Sequence, residues 1–156
     1  MLKSELWIKN YKDNHPSCWE SEGGILPTRL PDFEKDGERR SVVLIETNGM
    51  TGRYMTLCHC WGATHPLTTT TATIHERKHG ILLSEIPRTS KDFIEVAKDL
   101  GMRYVWIDSL CIFQDDAADW ASEAGKWCRF TAEAISTLPV HLPLGVRVVY
   151  FPPNRR

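Results

Sequence analysis

The stretch Pro87–Asp116, PRTSKDFIEVAKDLGMRYVWIDSLCIFQDD, decides how the chain folds. Phe93, Ile94, Val96, Ala97 and Leu100 recur at the spacing of one helix face. Thr89 or Ser90 can cap that helix, Asp92 suits its first turn, and Gly101 stands where a left-handed cap is wanted. YVWID (104–108) follows at once as a mostly apolar strand. A strand upstream, YMTLCHC (54–60), makes the order strand, helix, strand, with a connection long enough to cross over. That order predicts a parallel βαβ unit and hence an α/β domain.

Working outward, SVVLIET (41–47) is a short β-rich run and NGMTG after it is a turn signal, so 41–60 reads as a hairpin. Residues 1–40 are rich in Pro, Gly and charge, and PTRLPDF and EKDGERR read as loop. Downstream, DDAADWASEAGKW (115–127) reads as a second helix capped by Asp115, Asp116 or Asp119. Ala117, Trp120, Ala121, Ala124 and Trp127 would form its buried side.

The chain has 156 residues, enough for one domain with a real core, and 25% of them are charged, with a formal net charge of −1. Such a balance gives no electrostatic case for a nucleic-acid partner. No apolar run long enough for a membrane span and no signal-peptide core stands in the sequence, which predicts a soluble, cytoplasmic protein. The five cysteines are odd in number and follow no secreted disulfide spacing. Cys58 and Cys60, on one face of a strand, are read as buried thiols before they are read as a metal pair.

In open parallel sheets the ligand crevice lies beyond the carboxyl ends of the strands. The ends here, CHCWGATH (58–65) and DSLCIFQDD (108–116), would line a crevice with Trp61, Asp108, Ser109, Gln114 and Asp115. Neither GxGxxG nor GxxxxGK[ST] is present. HERKH (75–79) matches the H-E-x-x-H pattern by which a helix offers two histidines to zinc. Arg77 and Lys78 add positive charge there, Gly80 ends the helix at once, and no third ligand follows at the extended spacing. A basic helix end with no metal is therefore expected, and a zinc peptidase is the minor alternative.

Longer blocks carry a resemblance. YMTLCHCWG (54–62), PLTTTTATI (66–74), GILLSEIPRT (80–89), LGMRYVWIDSLCIFQD (100–115) and DWASEA (119–124) stand in order with short gaps. Together they resemble the fungal heterokaryon-incompatibility (HET) domain, with Cys58 in place of a serine, and LPTRLPDF and VVLIET look like the family's lead-in. HERKH falls where the family pattern is unspecified. The resemblance implies a module of nonself recognition in filamentous fungi whose activation leads to cell death. Such domains are similar to TIR domains, which implies a flavodoxin-like parallel sheet with flanking helices. Some TIR relatives cleave NAD beside a glutamate. By that likeness Glu123 is the candidate catalytic carboxylate, with Asp108 holding a ribose hydroxyl and NAD a possible substrate. The other implied reading is non-enzymatic, a scaffold that self-associates or binds a protein partner. Trp61, Trp106 and Trp120 are read as core packing before they are read as a stacking platform.

The resemblance divides the chain into an irregular lead-in at 1–40, a HET core at 41–127 and a tail at 128–156. The tail reads CRFTAEAISTLPVHLPLGVRVVYFPPNRR, where the family would give V-Y-x-x-A and later G-G-L-F-S. Permitted codons for 128–154, taken from each third base, can yield QVYRGGDINIASPPATGCPGGLFSTE, which looks like that family tail. The tail is accordingly read as a frame-shifted or mis-spliced product, VRVVYF as a strand with no evolved partner, and the sheet as incomplete at the C-terminus.

Overall fold

The computed structural model describes residues 24–34, 41–58, 66–133 and 147–150, with the backbone alone at 58, 127–133 and 147–150. Eight strands are described: β1 (Gly24–Ile25), β2 (Arg29–Asp32), β3 (Ser41–Glu46), β4 (Thr51–Gly52), β5 (Tyr54–Cys58), β6 (Ile81–Leu82), β7 (Tyr104–Ile107) and β8 (Arg147–Tyr150). The helices are α1 (Ile74–His79), α2 (Arg88–Asp99), the single turn α3 (Asp108–Cys111) and α4 (Ala117–Glu133). No described helix is long and apolar enough to cross a membrane.

The main sheet has six strands in the order β6-β3-β2-β7-β5-β8. β5 and β7 pair in parallel, Tyr54 opposite Tyr104 through Leu57 opposite Ile107, so the expected βαβ unit is present. The remaining pairs are antiparallel, and the sheet is mixed where a parallel one was expected. The reason lies in the connections: only the long crossover through α2 returns the chain in the same direction.

Alternation along β5 and β7 sorts their side chains to two faces. Met55, Leu57, Val105 and Ile107 join Phe93, Ile94 and Ala97 of α2 in the larger apolar cluster. Tyr54, Tyr104 and Trp106 face the other way, with Leu26, Leu30, Cys111 and Ile112. The α2 stripe read from sequence therefore packs as expected, though its capping differs. Pro87 precedes the first helical residue with φ −53°, and no side-chain cap bond is made by Thr89 or Ser90. Proline's fixed φ and missing N–H suit that position. At the other end Gly101, φ 71°, donates to Lys98 O, and Met102 N donates to Ala97 O at 2.9 Å. That paired closure is the Schellman arrangement, and it needs a residue at ease with positive φ.

Three segments depart from the sequence reading. The 41–60 hairpin does not form: β3 pairs with β2 and β6, and β5 pairs with β7 and β8. The Asn48-Gly49 turn is present, with φ 48° and 82° and Met50 N donating to Thr47 O, but it leads into β4 against β1. PTRLPDF is not a loop, because Arg29–Asp32 is a fully buried strand of the sheet. Pro31 is tolerated there because β2 meets β7 at one register pair only, Asp32 opposite Tyr104. Lastly, 147–150 has a partner, lying antiparallel along β5 with Met55 opposite Tyr150 and Cys58 opposite Arg147.

Candidate functional site

Asp108, Ser109, Gln114 and Asp115 do come together, in a knot built with the threonine run. Segment 66–73 runs beside the chain leaving β7. Thr69 N donates to Ser109 O at 2.9 Å, Gln114 N donates to Thr69 O at 3.0 Å, and Thr69 bridges Phe113 in parallel. One step further out, Thr71 donates its N–H and its hydroxyl to the two carboxylate oxygens of Asp115, at 2.9 and 2.6 Å. These bonds hold the Asp115 carboxyl below its ordinary pKa, the hydroxyl contributing most and the backbone N–H next.

Within the knot each side chain has local work. Asp108 accepts from Ser109 N at 2.7 Å where β7 passes into α3. Gln114 Nε2 donates to Asp108 O and Ile112 O, both at 3.2 Å, and so closes its own loop. Ser109 is buried, as is Thr69, whose hydroxyl is left without a hydrogen-bond partner. Trp61, His59, Cys60 and His65 lie outside the described residues, and so does the Cys58 side chain. The expected crevice between Trp61 and Asp108 thus has one described wall.

Glu123 stands in a second cluster, on the inward face of α4. Its side chain is buried and accepts from Thr28 Oγ1 at 2.7 Å and from Lys126 Nζ at 2.8 Å. One turn earlier Asp119 receives Arg29 through two bonds, at 2.6 and 2.5 Å, and also Phe113 N at 2.8 Å. Arg29 is itself buried on β2, donates Nε to Cys111 O at 2.8 Å, and lies 4.0 Å over the Phe113 ring. Thr28 and Arg29 went unrecognised in the sequence because they sit in the stretch read as loop. The available signal was an arginine between Leu26 and Leu30, in a segment whose apolar residues outnumber its charges.

This cluster changes the expected orientation of α4: of the residues expected inside, Ala124 is half-buried and the Trp127 side chain lies outside the described residues, while the others face out. Trp120 is 55% exposed, Ala117 and Ala121 are exposed, and Asp119 and Glu123 face inward. Asp116 caps the helix, accepting from Ala118 N and Asp119 N at 2.9 and 3.1 Å. Trp106 is core as expected, and Trp120 is not. Cys111 lies between the two clusters. Burial above all pushes its thiol up, a bond from Ile107 N and the charge of Arg29 oppose this, and Asp108 and Glu123 add to it. The thiol stays protonated and is a poor nucleophile.

HERKH forms α1, with both histidines exposed and their rings 5.9 Å apart. His79 Nδ1 donates to His75 O at 2.7 Å, and Lys78 pairs with Glu46 at 2.7 Å. Among the described residues no group of three His, Cys, Asp or Glu side chains is placed to hold a metal ion.

A mixed α/β domain with threonine and aspartate blocks interlocked beside a buried strand end is the class that fold and site define. The model of the heterokaryon incompatibility protein (HET) family matches residues 54–138, more than half of the 156-residue chain. The chain belongs to that family. The match runs beyond Trp127, where the motif blocks read from sequence end. No curated protein and no solved structure matches the chain.

Proposed function

We propose that this protein is a cytoplasmic module of nonself recognition in filamentous fungi, relaying cell death through contact with a protein partner or a second copy of itself. The observation that carries the reading is the family match over 54–138. Its blocks PLTTT and DSLCIFQD also bond to one another through Thr69, Thr71 and Asp115, which supports the shared motifs acting as one folded unit. Expressing the chain in a filamentous fungus and scoring hyphal death tests this. Death is expected from the chain with its tail restored to the family frame, and its loss from Asp115→Ala in that chain. An inert chain whose tail has been restored to the family frame would overturn the proposal.

A second reading, a TIR-like enzyme that binds or cleaves NAD, is supported by Glu123, a carboxylate 4% exposed within reach of a hydroxyl and an ammonium. A carboxylate near C1′ would stabilise the oxocarbenium-like charge that develops as nicotinamide leaves. The bonds to Thr28 and Lys126 give the same carboxylate a structural use, which favours the contact reading. Incubation with NAD separates the two. Nicotinamide release that Glu123→Gln abolishes without unfolding would establish the enzyme.

A further inference from the structure

We propose that the first turns of α4, residues 117–126, are latched to the sheet by Arg29–Asp119 and by the contacts of Glu123 and Lys126 with Thr28, and that they open together while the sheet stays folded. Helices in folded domains are ordinarily fastened by an apolar stripe. Among 117–126 of α4 the side chains turned from solvent are Asp119, Glu123 and the small Ala124, and no residue of that span belongs to either apolar cluster. Trp120, the large apolar side chain of the span, is 55% exposed. Separating these turns from the sheet therefore uncovers little apolar surface, and what it breaks is a small set of charge-assisted bonds.

The sheet side keeps most of its bonds on separation, although Phe113 N gives up Asp119 as its acceptor. Arg29 keeps its bond to Cys111 O and its stacking on Phe113 when Asp119 leaves. Thr28 keeps the backbone bond that Thr47 N donates to its carbonyl. On the helix side Asp119 loses its arginine, and Glu123 loses the Thr28 hydroxyl but keeps the Lys126 ammonium of its own helix. The span 117–126 is below the roughly 12–15 residues at which an isolated helix holds in water, so once released it exposes its amides to exchange.

Native-state amide exchange followed by mass spectrometry on the full chain tests the latch. Amides of 117–126 are expected to exchange at least about tenfold faster than those of α2 at 93–97. Asp119→Asn should speed 117–126 by roughly a further tenfold, the factor for one charge-assisted bond, and leave 93–97 and 104–107 unchanged. Thr28→Val, a milder change that leaves Arg29 paired, should give the same pattern at smaller size. Equal exchange in α4 and α2, or variants that accelerate all three segments together, would overturn the proposal. So would α4 rates that neither variant alters.

Discussion

Thr71 and Asp115 stand 44 residues apart in sequence and share two hydrogen bonds, both donated by the threonine. Because these bonds favour the ionised carboxyl, its pKa is lower in the folded chain than in the unfolded one. The contribution to stability is full above the unfolded value and is lost as pH falls through the folded one. Urea midpoints measured from neutral pH down to about pH 3, below the ordinary Asp value of about 3.9, should show the effect. Asp115→Asn is expected to lower the midpoint at neutral pH and to converge on the unaltered chain in acid. Parallel curves for the two proteins would show that the clamp stores no proton-linked stability.

Phe93 is 1% exposed in the larger apolar cluster, where α2 meets the β5–β7 pair. Phe93→Ala should cost about 3–5 kcal/mol in denaturant unfolding, through lost transfer energy and the cavity left behind. A loss below about 1 kcal/mol would mean that α2 does not pack through this side chain.

Trp120 gives the opposite case. A core tryptophan would cost about 3–5 kcal/mol on truncation. At 55% exposure on the outer face of α4, Trp120→Ala should change stability by no more than about 0.5 kcal/mol. The same denaturation experiment tells which way α4 faces.

Asp32 is buried at 1% exposure and takes Arg103 through bonds of 2.8 and 3.2 Å, with Glu34 N at 3.0 Å. The bond that Arg103 donates to Asp32 is the main reason its pKa is raised. Arg103→Met would strand a buried carboxylate. The arginine side chain is 46% exposed, so water replaces part of the bond, and the expected cost is about 1–3 kcal/mol rather than that of a fully buried pair. A double-mutant cycle with Asp32→Asn should return a coupling energy well above zero, and additive effects would dismiss the pair.

His75 and His79 are exposed and near-parallel, and a stoichiometric zinc ion on them is not expected. Metal analysis of the purified chain checks this. About one equivalent of zinc, lost on His75→Ala, would revive the peptidase alternative.

The elements legible in the sequence are those whose order rests on near neighbours. The α2 stripe, Gly101 at its end, the Asn48-Gly49 turn and the apolar β7 follow from spacing and local φ preference, and the family was readable in the motif blocks. The gathering of Asp108, Ser109, Gln114 and Asp115 was legible too, because they are close in the chain. Their bonding partners, Thr69 and Thr71, were not, since no local rule joins residues some forty positions apart.

The parallel β5–β7 pair was legible from the βαβ order, but the antiparallel pairings belong to the tertiary structure alone. Whether β3 pairs with β5 or with β2 depends on which strand edges remain to be hydrogen-bonded, and a turn signal cannot say that. The helical period of α4 admits an apolar face with Trp120 or an ionic face with Asp119 and Glu123. The choice fell to the ionic face because the buried Arg29 guanidinium on the sheet side requires a charge-bearing partner, which Asp119 supplies. Spacing along one chain sets what each element can bury. Which side it does bury is decided by the unsatisfied groups that the rest of the fold presents to it.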